Sequence, residues 1–325
     1  MESFESHLVT TSIVLGIDCG PINSNEQRNT NLGEQIILIG LQDSGKSTFL
    51  AALYHVVESG QIDDSLHLGE LGPDRTYLNE LRERWLNCEK LDRTKLGHEQ
   101  VLQFQLISSD GTVIDVILPD VSGETFRDQW EQRKTTIVFD DLARRADGVL
   151  FFIHPDTVRK PVRINFVRAV AAVLDDLDVP ATSTSSGEGL EIKWSPKLSP
   201  TAVQLTEVLQ FLVREPEMYP VKRVAVIVSA WDLLQSDFQK PSEWLAKDLP
   251  LLSQFLKANS DSLPYKVFGI SAQGGPLEQA GDLRSRINQS DRVLVASDEV
   301  GEYGIHDITA PIKWLMQIEN AVSHY

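Results

Sequence analysis

The run Gly40-Leu41-Gln42-Asp43-Ser44-Gly45-Lys46-Ser47-Thr48 constrains this chain more than any other. It follows the apolar stretch Ile36-Ile37-Leu38-Ile39 and leads into Phe49-Leu50-Ala51-Ala52-Leu53. Buried strand, glycine-rich turn and helix start therefore come in immediate succession, the context that G-x-x-x-x-G-K-S requires. Glycines let the backbone curl and bring consecutive N–H groups together. The helix start adds unpaired N–H groups and the positive end of its dipole. Such a cradle suits a polyphosphate, lined by Gln42, Asp43, Ser44, Gly45, Lys46, Ser47 and Thr48. Lys46 is placed to reach the terminal phosphates and the Ser47 hydroxyl to bind Mg²⁺. This is a nucleotide-binding P-loop.

Around it the chain alternates strand and helix. An amphipathic helix from Arg75 to about Leu91 carries Leu78, Leu81, Trp85 and Leu86 on one face, and Gly97 breaks the pattern. Val101–Ile107 and Thr112–Leu118 read as strands joined by a hairpin turn at Ser109-Asp110-Gly111. Further strands are read at Gly148–Ile153, Val224–Val228 and Lys266–Ile270, with helices at Thr201–Arg214 and from Ser242 to about Leu256. A closing helix starts at Pro311 with Thr309 as its cap, turning Ile312, Leu315 and Ile318 inward. Residues 1–34 read as a tail or linker, in which Ile13–Ile17 is either a short edge strand or unstructured. Residues 35–325 form the P-loop domain, with an inserted segment at about 155–200 that holds a helix from Pro161 to Leu177 and a Ser/Thr/Gly-rich loop. The expected fold class is α/β: a three-layer P-loop NTPase fold, mostly parallel sheet with one antiparallel hairpin strand, helices on both faces.

Composition narrows the partners. Lys+Arg total 30 against 47 Asp+Glu, a net charge of -17, which repels nucleic acid backbones and anionic membranes. No apolar run is long enough to span a bilayer, and the acidic start Met1–Glu5 lacks the basic residues of a secretory signal. Cys19 and Cys88 form no metal or redox spacing, which suits a reducing compartment, so the expected location is cytoplasmic. There is no G-x-S-x-G elbow, no H-E-x-x-H and no clustered Cys/His set.

Three short motifs follow the P-loop, each at the end of a strand, where ligands of such sheets bind. Asp120 and Gly123 make a D-x-x-G: the carboxylate suits Mg²⁺ held through water, and the glycine N–H a γ-phosphate. Asp232, in Ser229-Ala230-Trp231-Asp232, can accept from guanine N1 and N2, donors adenine does not offer in that arrangement. Backbone N–H groups of Ser271-Ala272-Gln273 can meet the guanine oxygen. For these last two motifs a plain strand-end turn is the other reading. Trp231 is placed to stack near the base or to cover the sheet edge.

In that order the motifs resemble those of TRAFAC-class, Ras-like P-loop GTPases, with a degenerate N-K-x-D and a degenerate S-A-K. Leu38–Leu53 and Leu118–Glu124 are similar to the bacterial double-GTPase families, predicted GTPases encoded in conflict or anti-phage gene neighbourhoods. The resemblance covers roughly Gln35 to Gln273 outside the insertion. It implies binding of GTP/GDP with Mg²⁺, slow hydrolysis, a cytoplasmic switch and protein partners at the switch regions, such as another GTPase or an effector. It implies further that Thr94 (or Thr76) is the switch threonine that closes on Mg²⁺, and that Glu124 stands where a water-orienting glutamine is usual. Arg93 matches the in-cis arginine of Gα proteins, a solvated surface arginine being the other reading. The departures lie at the base end: Ser229, Ala230 and Gln273 replace asparagine and two lysines. They leave room for an ATPase or a relaxed NTPase, and Glu124 for a nucleotide-stabilised interaction module with little hydrolysis.

Overall fold

A computed structural model of the chain describes residues 34–63, 65–71, 75–91, 101–119, 131–132, 134–161, 199–213, 223–237, 240–299 and 305–317. Its strands are β1 Glu34–Gly40, β2 His67–Leu71, β3 Val101–Ile107, β4 Val113–Pro119, β5 Gly148–Ile153, β6 Arg223–Ser229, β7 Tyr265–Ser271 and β8 Leu294–Ser297. The helices are α1 Lys46–Ser59, α2 Arg75–Leu86, α3 Ile137–Arg145, α4 Thr201–Val213, α5 Pro241–Asp248, α6 Pro250–Ala258, α7 Ala280–Arg284 and α8 Ala310–Met316.

The strands make one sheet in the order β2-β3-β4-β1-β5-β6-β7-β8. β4, β1, β5, β6 and β7 run parallel, β3 joins antiparallel through the expected hairpin, and β2 and β8 are antiparallel edges. In the hairpin turn the Asp110 carboxylate accepts from Thr112 N at 2.9 Å and Gly111 N donates to Ser108 O at 2.9 Å. The central strands are apolar on both faces, as strands covered by helices on each side must be. Along β1, Ile36 and Leu38 enter one core with α1, α2 and α8, while Ile37 and Ile39 enter the other with α3, α4, α5 and α6. This is the three-layer α/β arrangement expected. Register then sets the ends: Gly40 pairs with Phe152, Ile153 with Val228, and Ser229 with Ile270. Gly40, Ser229 and Ser271 consequently lie along one edge of the sheet. Among the described residues no helix is long and apolar enough to cross a membrane.

Three local expectations are corrected. The helix read from Ser242 to Leu256 is two, α5 and α6, because Pro250 lacks an N–H and its ring collides with a carbonyl one turn back. Pro250 instead opens α6, and Leu249 between them leaves the helical region at φ -129° and ψ 57°. The helix from Arg75 stops at Leu86, and the turn after it holds Cys88 at φ 52°. Thr309 stands at the start of α8 but its hydroxyl caps nothing there. It donates to Asp307 Oδ1 at 2.5 Å and accepts from Leu66 N at 3.3 Å, while Asp307 Oδ1 accepts from Thr309 N at 2.9 Å. Ile318, residues 1–33 and the insertion from 162 to 198 lie outside the described residues.

Asp307 also meets Lys313 of α8 at 2.8 Å, both side chains 3% exposed. Removing one member of a buried ion pair strands the other charge, which costs far more than the pair itself contributes. Asp307→Ala should lower unfolding free energy by about 3–5 kcal/mol, read as a shift of the urea midpoint. Asp307→Leu combined with Lys313→Met should recover only part of that loss, because Thr309 N and Oγ lose their acceptor.

Candidate functional site

β1 delivers Gly40 to the sheet edge, and the turn Leu41–Ser44 carries the chain to Gly45, the N-cap of α1. Gly45 has φ 91°, and a Cβ there would lie 2.8 Å from the Cβ of Ser229. Both facts demand glycine. Asp43 also adopts positive φ, at 58°, and Ser44 is 2% exposed. The first turn of α1 contributes Lys46, Ser47 and Thr48, whose N–H groups have no carbonyl of the helix itself behind them. The Lys46 ammonium folds across the loop and donates to Gly40 O at 2.7 Å, Leu41 O at 2.9 Å and Ser44 Oγ at 3.1 Å. Burial lowers its pKa to about 8, and the Asp43 carboxylate offsets that in part. A buried ammonium facing carbonyl oxygens is a site waiting for anionic charge.

The base end lies two strands away. Ser229 ends β6, its hydroxyl donating to Ile153 O at 3.2 Å, and Ala230 turns the chain at φ 48°. Asp232 sits in the short 3-10 turn that follows, and Ser271 Oγ at the end of β7 donates to its Oδ1. Ser271 Oγ also accepts from Gly274 N at 3.2 Å. Asp232, Ser271 and Gly274 are thus joined by hydrogen bonds at the sheet edge, with Ala272 in the same loop. Trp231 is corrected. Its side chain is 1% exposed, and it covers Gly269 so closely that a Cβ on that glycine would lie 2.3 Å from the ring. The indole is core packing beneath the site, with no face left to stack on a base.

Comparison with known proteins identifies the frame. A family model described as Double-GTPase 1 matches residues 37–315, most of the chain. The chain belongs to the Double-GTPase 1 family. No curated protein matches it. Among solved structures it aligns with the bacterial selenocysteine-specific elongation factor EF-Sec at 14% identity and a TM-score of 0.32, covering 77% of this chain and 28% of that one. The GTPase-like domain of S. cerevisiae Ski7, bound to GTP, aligns at 12% identity and a TM-score of 0.34, covering 75% of this chain and 44% of that one. The RocCORdC of Methanosarcina barkeri Roco2, bound to GDP, aligns at 12% and 0.32, covering 77% and 47%. The chain therefore spans less than half the length of each of these proteins.

Within this Double-GTPase 1 domain the structure brings together the P-loop residues with Asp232, Ser271 and Ala272. Arg93, Thr94, Asp120, Gly123 and Glu124 lie outside the described residues. β4 ends at Pro119, immediately before Asp120 and on the same edge as Gly40. Thr76, the alternative to Thr94, is the exposed second residue of α2. What the sequence did not reveal is a buried cluster behind the base-end loop, Trp85, His55 and Arg292. His55 packs 5.1 Å from the Trp85 ring, and burial, with Arg82 and Arg292 nearby, lowers its pKa to about 4. The one sequence signal of a tight fit there was the Gly274-Gly275 pair after the strand.

A phosphate beside Lys46 favours the charged ammonium and so raises its pKa from about 8. Nucleotide binding at pH 8 should then take up roughly half a proton through Lys46. Calorimetry in buffers of different ionisation enthalpy should show that uptake at pH 8, and show this contribution vanish at pH 6.5.

Proposed function

We propose that this Double-GTPase 1 domain is a GTP-binding and GTP-hydrolysing switch of the TRAFAC type. The observation that carries the reading is the sharing of one sheet edge by the Lys46 cradle and the Asp232–Ser271 pair, a polyphosphate site and a guanine site joined where Gly45 meets Ser229. Lys46 releases its loop carbonyls to hold the β- and γ-phosphates, and the N–H groups of Gly45 to Thr48 share the remaining charge. Asp232, oriented by Ser271, accepts from guanine N1 and N2, and the loop after β7 meets the guanine oxygen.

Mg²⁺ fits the donor set, since the Ser47 hydroxyl is a hard oxygen ligand one residue beyond Lys46; Asp120 and Thr94 would complete its protein contacts, and the ion supplies charge neutralisation at the phosphates. Glu124 orients the attacking water and Arg93 stabilises charge developing on the transferred group. A carboxylate near the γ-phosphate also repels it, so the intrinsic rate is slow. Contacts of the Thr94 and Asp120 loops with the γ-phosphate distinguish the two states, and a protein partner, another GTPase or an effector, reads the difference. The setting is cytoplasmic, in a bacterial defence or conflict system, as the resemblance to double-GTPase families implies. The net charge of -17 argues against nucleic acid as the partner.

A relaxed NTPase is the second reading, favoured by Ala230 and Gln273 in place of two lysines. Competition against a fluorescent GTP analogue separates them: GTP and GDP should displace it at concentrations at least about tenfold below ATP, a difference of ~1.4 kcal/mol. Equal displacement by ATP removes the guanine assignment. Lys46→Ala should weaken binding about 100-fold or more, the ~3 kcal/mol expected of a desolvated charged contact. Unchanged binding by that variant would falsify both nucleotide readings. Single-turnover hydrolysis, with and without a candidate partner, then tests the enzyme against a binding module that does not turn over.

A further inference from the structure

The loop that follows β7, Ser271 to Gly275, is held from behind by two residues far away in sequence. Trp85, near the end of α2, donates its indole N–H to Ala272 O at 2.9 Å. Arg292, 0% exposed, donates from Nε to Gln273 O at 3.3 Å. Its guanidinium lies 4.1 Å from the Trp85 ring centroid and donates also to Trp85 O at 2.9 Å, Leu86 O at 3.4 Å and Gln289 Oε1 at 2.9 Å. Gly274, at φ 83°, passes so close that a Cβ there would lie 2.3 Å from Arg292 O. Two successive loop carbonyls are therefore drawn into the protein.

A trans peptide is rigid, with its C=O and the next N–H on opposite sides. Drawing Ala272 C=O inward onto Trp85 turns Gln273 N–H the opposite way, away from Trp85. The side-chain Nε2 of Gln273 is buried with no acceptor, so this loop carries more donor capacity than the protein uses. An arginine suits the buried position because its planar fork serves several carbonyls at once while its face lies on an aromatic ring.

We propose that Trp85 and Arg292 are positioning residues for base recognition: they fix the Ala272–Gln273 peptide so that its N–H faces the guanine oxygen. The inference rests on the guanine reading above. It assigns specificity to residues that touch no nucleotide. Adenine, which carries an amino group where guanine carries oxygen, meets a fixed donor with another donor and is rejected.

Trp85→Phe removes the indole N–H and keeps a ring beneath Arg292, and Arg292→Lys keeps the charge and removes the fork. Binding of GDP, ADP and inorganic pyrophosphate is measured on the full chain for the wild type and both variants. Each variant should weaken GDP about tenfold, the scale of one buried hydrogen bond, and leave ADP and pyrophosphate within about twofold. Loss of pyrophosphate affinity in step with GDP, or GDP affinity unchanged in both variants, overturns the positioning role. A wild type that binds ADP as tightly as GDP overturns the guanine reading and this inference with it; a wild-type preference that both variants keep overturns this inference alone.

Discussion

The turn at Gly45 lies against Ser229 with no room for a Cβ between them. That contact ties the P-loop to the Asp232 turn, because Ser229 closes β6 and Asp232 follows three residues later. Behind it stands the parallel ladder β1-β5-β6-β7, which aligns Gly40, Ile153, Ser229 and Ser271 along one edge. Paired backbone hydrogen bonds allow little slippage, since a one-residue shift would turn every apolar side chain to the wrong core. The spacing between the Lys46 cradle and the Asp232–Ser271 pair is thus set by the sheet rather than by any single loop.

Among the described residues Lys313, Arg292 and Lys46 meet the cost of burial in three different ways. Lys313 has a carboxylate, Asp307, at 2.8 Å, and belongs to a network that clamps α8 to the residues before β2. Arg292 spreads its charge over carbonyls and the Trp85 ring, and its pKa is still lowered, chiefly by burial. Lys46 faces two carbonyls and a hydroxyl. Such partners satisfy hydrogen bonds without neutralising charge, and the Asp43 carboxylate offsets the burial of Lys46 only in part. Of the three, Lys46 is the one placed at the sheet edge.

How far the site could be read from the chain depended on distance along the sequence. The P-loop is contiguous, so strand, turn and helix signals reinforce one another within about twenty residues. The central strands were legible because burial on both faces leaves continuous apolar runs such as Val224–Val228. The edge strands were not. β2 is five residues with a glycine and an acid, β8 is four half-buried residues, and both depend on antiparallel pairing with distant partners. Asp232 stands out in the sequence because it follows a buried strand, whereas the packing of Trp231 turned on Gly269, 38 residues later. Arg292 and Trp85 meet across 207 residues; the helical pattern turned Trp85 inward, but nothing local pairs it with Arg292.

The fit of Trp231 over Gly269 has a bearing on how variants of this domain would be interpreted. The indole fills the space where any side chain at residue 269 would stand, and the next residue along its own turn is Asp232. Any larger residue in the middle of β7 must push the ring outward and carry the carboxylate away from Ser271. On the proposed role of Asp232, a genetic screen for lost base recognition would therefore return Gly269 beside it. The lesion would act through the Asp232 turn while lying wholly in the sheet.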